Sequence, residues 1–113
     1  MIARLMGLKT VDPATLQLRM ASGSIAVYDV NSPASWKAAR VPGARHLDPT
    51  RFAESELPSA RDQAIVFYCS NPWCRKAPLA ARRARQMGFS DVAVLAAGIS
   101  GWLAAGLPAE SGG

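Results

Sequence analysis

Three short apolar runs stand out along the chain: Ile25-Ala-Val-Tyr-Asp-Val30, Ala64-Ile-Val-Phe-Tyr68 and Val92-Ala-Val-Leu95. None alternates apolar with polar positions, which is the pattern of a strand covered on both faces. Between the runs the spacing turns helical. Thr10–Met20 opens the domain, with Leu16 and Met20 on one face, and Asp12 followed by Pro13 reads as a cap and first helical position. Asn31–Arg40 repeats that device with Ser32 before Pro33, and Trp36 is read as core filling. Asp48–Leu57, again opening on Asp and Pro, reads as another short helix. Ala77–Met87 carries an apolar stripe of Leu79, Ala80, Ala84 and Met87 with its arginines outward, tolerates Pro78 in its first turn and ends at Gly88. Ala97–Gly106 is a last helix, expected to pack through Ile99, Trp102 and Leu103. Val41–Ala44 reads as a turn, Arg45–Leu47 as a short strand, Pro58–Gln63 as a loop and Glu110–Gly113 as a tail.

Strands alternating with helices imply an α/β fold: a mainly parallel sheet covered on both faces, in three layers. Residues 1–113 are expected to form a single domain, long enough for a core without disulfides or metal. No apolar run approaches the roughly 18 residues of a membrane span. Met1–Gly7 has no sustained apolar core and no cleavage site, so no leader is read there and the cytoplasm is the expected compartment. Two cysteines and one histidine, His46, are too few ligands for a tetrahedral zinc site, and no cofactor is expected. His46 and Asp29 are read as structural, Asp29 as a hydrogen-bonding partner of a neighbouring loop.

Charge changes the picture once it is located. The net charge is +5, and between Ser70 and Ser90 lie Arg75, Lys76, Arg82, Arg83 and Arg85 with no acid. The remaining eight basic and eight acidic residues cancel, so the whole excess follows Cys69. A compact cluster without an aromatic run argues against nucleic acid as a partner. It suits a small anion and a lowered thiol pKa.

The chemistry therefore centres on Cys69-Ser-Asn-Pro-Trp-Cys74-Arg-Lys76. A thiol at a strand's end, facing a helix N-terminus across a short polar loop, has surroundings that favour thiolate. Cys69 is the expected nucleophile. A loop wrapped around it is expected to aim several N–H groups inward as an anion nest. Trp73 is either an exposed substrate wall or scaffold packing. Cys74 is a bystander, a resolving thiol for Cys69 or the reactive thiol itself.

These residues resemble the rhodanese family over nearly the whole chain. Asp29-Val30, Trp36 and Ala39-Arg-Val-Pro-Gly-Ala44 are similar to its first signature. Phe67-Tyr-Cys69, the basic loop and Ala80-Ala81 are similar to its active-site strand, loop and helix. Val94-Leu-Ala-Ala-Gly-Ile-Ser-Gly-Trp102 with Ala105-Gly-Leu-Pro108 resembles its last signature. The two loop cysteines resemble a single-domain branch of the family. The resemblance implies a sulfurtransferase without a cofactor. Cys69 would take the outer sulfur of thiosulfate, or a similar small anionic donor, as a persulfide and pass it to cyanide or a thiol. Ser70, Asn71, Trp73, Cys74, Arg75 and Lys76 form the candidate substrate-binding set. The chain departs from the family at Asn31 (usually Arg), Arg40 (commonly His) and Ala97 (usually Gly). Cys74 stands where the loop arginine is usual, and Arg75 comes one place later. Cys69-x5-Arg75 is also the spacing of Cys-based phosphatases and arsenate reductases, which gives one alternative; an inactive redox or binding module is another.

Overall fold

The computed structural model describes residues 2–113; Met1, the first residue of the stretch read for a leader, lies outside them. Ile2–Leu5 forms α1, Lys9–Val11 β1, Pro13–Ala21 α2, Ala26–Asp29 β2, Pro33–Ala38 α3, Arg45–His46 β3, Ile65–Tyr68 β4, Lys76–Gln86 α4, Val92–Leu95 β5 and Gly98–Ala104 α5. The strands make one sheet in the order β1-β5-β4-β2-β3, with every neighbouring pair parallel. The parallel α/β architecture is the one the alternation predicts. No helix among the described residues is long and apolar enough to cross a membrane.

The core divides by the two-residue period of the strands. In the central strand β4, Ile65 and Phe67 face the side that holds Ala77, Ala80, Ala81 and Ala84 of α4. Val66 and Tyr68 face the other side, with Leu16 of α2 and Trp102 of α5. Continuing the alternation puts Cys69 on the α4 side, and it is buried there. Two of the predicted helix starts form with their caps: Asp12 accepts the Thr15 N–H at 2.8 Å and Ser32 accepts the Ser35 N–H at 3.3 Å.

Several details differ from the sequence reading. Residues 9–11 are a strand and not the entry to a helix: β1 is an edge strand aligned on β5, Lys9 opposite Ala93 and Val11 opposite Leu95. Its own residues carry no apolar run to announce it, because its hydrogen-bond partners are supplied by another part of the chain. Asp48–Leu57 is no α-helix. Asp48 takes the Thr50 N–H and hydroxyl at 2.9 Å, and a 3-10 turn covers only Glu54–Glu56. Phe52 and Leu57 both enter the same core. Five residues apart, they lie roughly 140° from one another on an α-helix and could not both do so. On α4, Leu79 is 50 % exposed, since the alanines occupy the face nearest the sheet. Leu103 is also exposed, leaving Trp102 as the anchor of α5. Trp36 is only half-buried: it stacks on His46 at 5.0 Å, with Arg40 4.3 Å from its ring. The C-terminal tail is pinned, because Arg40 and Glu110 exchange both backbone hydrogen bonds and Gly112 donates to Lys37.

Asp29 ends β2 fully buried. Its Oδ1 accepts the Asn31 N–H at 2.8 Å, which fixes the turn out of the strand. Burial raises its pKa. The neighbouring Tyr68 hydroxyl accepts the Val41 N–H at 3.0 Å, so the pair ties β2, β4 and the 41–44 turn together. This is the structural role expected of Asp29. His46 is likewise structural in its contacts: its Nε2 donates to the Asn31 carbonyl at 2.7 Å.

Candidate active site

The site begins where β4 runs out. All four residues of β4 are buried between β2 and β5, so the chain can leave the sheet only beyond Tyr68. The exit is held by α5: Ile99 donates its N–H to the Cys69 carbonyl at 2.9 Å and Ser100 to the Ser70 carbonyl at 3.0 Å. Gly98, at the start of α5, makes this approach possible. A Cβ there would lie 2.5 Å from the Ser70 carbonyl carbon and 2.6 Å from the Asn71 nitrogen, and the backbone has φ +66°. Sequence reasoning quoted Gly98 only within the last signature and did not assign it to the site. The signal available was a glycine just past an apolar strand.

The loop then folds on itself. Asn71 Oδ1 accepts the Trp73 N–H at 2.9 Å and the Asn71 carbonyl accepts the Cys74 N–H at 3.2 Å, with Pro72 presetting the turn. These two N–H groups are therefore satisfied inside the loop and do not point at Cys69. The expected nest is smaller than the sequence suggested and is supplied from elsewhere. The N–H groups of Ala77 and Ser70 serve the Cys69 sulfur. Those of Lys76 and Ser70, with the Ser70 hydroxyl, serve the Cys74 sulfur. Both cysteines are free thiols; they line one small cavity, and each shifts the other's ionisation. The N-terminus of α4 thus faces two sulfurs rather than one.

The charge does not fall where the sequence places it. Cys69 is 3 % exposed, and burial, reinforced by the hydrogen bond to Cys74, pushes its thiol up to about 12. Cys74 is half-buried. Burial opposes its ionisation, but the Cys69 thiol and the N–H groups of Lys76 and Ser70 outweigh it, and its pKa is lowered. Of the two thiols, Cys74 therefore ionises the more readily. The lowered thiol predicted at Cys69 is found on its neighbour, because a strand-end position inside the core costs an anion more solvation than two N–H groups restore.

The remaining members of the predicted set spread outward. Ser70 and Asn71 belong to the loop framework. Trp73 is 68 % exposed, so its ring is not scaffold packing. Arg75 caps α4 with its backbone and is exposed; burial, Cys74 and N–H groups set the Cys69 pKa, and the Arg75 guanidinium is not among these groups. Lys76 lines a different cavity, of about 330 Å³, with Asn31, His46 and Asp48. The space beside the two sulfurs is far smaller, about 10 Å³, walled by Ala3, Asn71, Pro72, Ala77 and Val94. That is room for one water at most.

The sequence model of the family described as Rhodanese-like domain matches residues 12–105. The chain is 33% identical over 99 residues to the HTH-type transcriptional regulator Rv0324 of Mycobacterium tuberculosis, a match covering 88% of this chain and 43% of that protein. The chain thus spans less than half the length of this curated relative. Among solved structures it is similar to the BH2092 protein from Bacillus halodurans, with TM-score 0.82 and 27% identity over 91% of this chain and 77% of that one. It is also similar to a thiosulfate sulfurtransferase from Pseudomonas aeruginosa, with TM-score 0.81 and 28% identity over 93% of this chain and 20% of that one. With the parallel sheet, the thiol at the end of its central strand and the glycine that seats the loop, these matches place the chain in the rhodanese-like domain family.

Proposed function

We propose that the protein transfers sulfane sulfur through a persulfide on Cys69. The observation that carries this reading is the Cys69 sulfur at the end of β4, served by the Ser70 and Ala77 N–H groups and sharing a small cavity with a second thiol of lowered pKa. The donor is a small anion such as thiosulfate. As its outer sulfur approaches, the Cys69 proton passes to the deprotonated form of Cys74. The Cys69 sulfur then forms the new S–S bond, and sulfite leaves with the electron pair of the bond that breaks. The persulfide anion stays beside the first-turn N–H groups of α4 until a thiol or cyanide removes the outer sulfur. Arg75 and Lys76, exposed at the start of α4, supply the positive field that draws an anion in, and Trp73 forms the outer wall of the approach. This chemistry needs no cofactor.

Support for phosphoryl transfer is weaker. A tetrahedral oxyanion needs converging loop N–H groups, and those of Trp73 and Cys74 are taken by Asn71.

The test is thiocyanate formation from thiosulfate and cyanide, read together with the mass of the Cys69 peptide in early-quenched samples. We expect turnover and a gain of one sulfur atom on that peptide, both lost in Cys69→Ser. Retention of both in Cys69→Ser would overturn the assignment.

A further inference from the structure

The second thiol has a place in the geometry that sulfur transfer alone does not require. Cys69 and Cys74 line one small cavity, and the Ser70 N–H serves both sulfurs. Cys74 packs against the same core cluster that contains Cys69. The turn between them, closed by the Cys74 N–H on the Asn71 carbonyl, holds this proximity without any ligand. The cavity beside the sulfurs has room for one water at most. An added sulfur atom on Cys69 fills or exceeds that space. Both cysteines line that space, so a bond between them adds no atom to it.

We propose that Cys74 resolves the Cys69 persulfide, releasing hydrosulfide and leaving a Cys69–Cys74 disulfide, so that the site reduces sulfane sulfur to sulfide as well as carrying it. This rests on the persulfide reading above. The proton that Cys74 took during loading passes to the outer sulfur, and the Cys74 thiolate so formed attacks the inner sulfur of Cys69–S–SH. The Cys69–Cys74 bond forms as the bond to the outer sulfur breaks, and HS⁻ leaves with that electron pair. The two cysteine sulfurs are oxidised by one electron each, and the sulfane sulfur is reduced by two. A single turnover needs no outside reductant; a small dithiol resets the pair. The attacking thiol is the one that ionises the more readily, and its partner lines the same small cavity, both of which favour exchange. External thiols compete with Cys74 for the persulfide, so the acceptor's concentration decides between transfer and sulfide release.

The experiment uses the reduced full chain and Cys74→Ser, both loaded with thiosulfate without added thiol and then freed of donor. The wild type is expected to release one equivalent of sulfide and to end with the loss of two hydrogens, the 69–74 region linked internally. Cys74→Ser lacks the acceptor for the Cys69 proton and loads more slowly, so it is carried to the same sulfur content before the donor is removed; it is then expected to keep the mass of one extra sulfur at least about tenfold longer, with no sulfide released. Cys74→Ala, with circular dichroism matching the wild type, is expected to behave as Cys74→Ser. A wild-type persulfide as long-lived as that of the variants, without sulfide, overturns resolution by Cys74 while leaving sulfur transfer standing. If neither wild type nor variants take up sulfur, the transfer reading falls and this one with it.

Discussion

The Cys69–Cys74 pair divides two tasks that one thiol would otherwise perform. Cys69 is buried with a raised pKa, and Cys74 is half-buried with a lowered one. Alkylation resolves the two: iodoacetamide is expected to modify Cys74 first, with a pH midpoint below the ordinary thiol value of about 8.5. Cys69→Ala removes the hydrogen bond that helps ionise Cys74, so that midpoint is expected to rise. Equal alkylation of the two thiols at pH 7 would contradict the assignment. Cys69 also ties stability to alkaline pH. Its folded pKa, about 12, lies above the unfolded value, so its contribution is full below about pH 9 and is lost as pH rises toward 12. Denaturant midpoints are expected to fall across that window, less steeply in Cys69→Ala. Gly98 acts on the same pair from the other side of the loop. Gly98→Ala puts a Cβ against the Ser70 and Asn71 backbone and forces a strained φ, at a cost of about 1–3 kcal/mol, and sulfur loading is expected to fall with stability.

At the scale of the element, α4 couples packing to chemistry. Its inner face is nearly all alanine, with Ala77, Ala80, Ala81 and Ala84 each at most 1 % exposed. Small side chains let the helix lie close to β4 and β5, which brings the Lys76 and Ala77 N–H groups to the sulfurs. Ala81→Leu overfills this seam and is expected to cost about 1–3 kcal/mol. It should also lift the helix N-terminus away from the loop and raise the Cys74 pKa, read by the same alkylation profile. A stability loss with an unchanged profile would mean that α4 is scaffold only. At the opposite end of α4, Arg83 and Arg85 suit the negative pole of the helix dipole. Arg83 also donates to the Phe52 carbonyl at 3.1 Å, which anchors the irregular 48–57 segment.

At the scale of the molecule, the sheet order places β4 between β2 and β5, so the strand that carries Cys69 has neighbours on both edges and turns from both sides converge on its carboxyl end. The surplus of positive charge lies on the segment leaving that end. An anionic donor is therefore expected to show a KM that rises with ionic strength, while an uncharged acceptor is nearly indifferent. Replacing Arg75 and Lys76 together by Ala is expected to raise the donor KM several-fold and to flatten its salt dependence. A donor KM insensitive to both salt and the double substitution would remove the field from the explanation.

Much of this architecture was legible along the chain, because burial on both faces writes continuous apolar runs and because caps such as Asp12 and Ser32 act through near neighbours. Cys69 was recognisable for the same reason: it marks the place where such a run stops. The edge strand at Lys9–Val11, the irregular path from Asp48 to Leu57 and the half-exposed stack of Trp36 were not legible, since their hydrogen bonds and packing partners come from distant segments. Which of the two thiols ionises the more readily was hidden for a deeper reason. Cys69 and Cys74 are the same residue type, five positions apart, beside the same helix. What separates them is how much water each sulfur keeps and which N–H groups reach it, and those are properties of the folded arrangement that no spacing along the chain can carry.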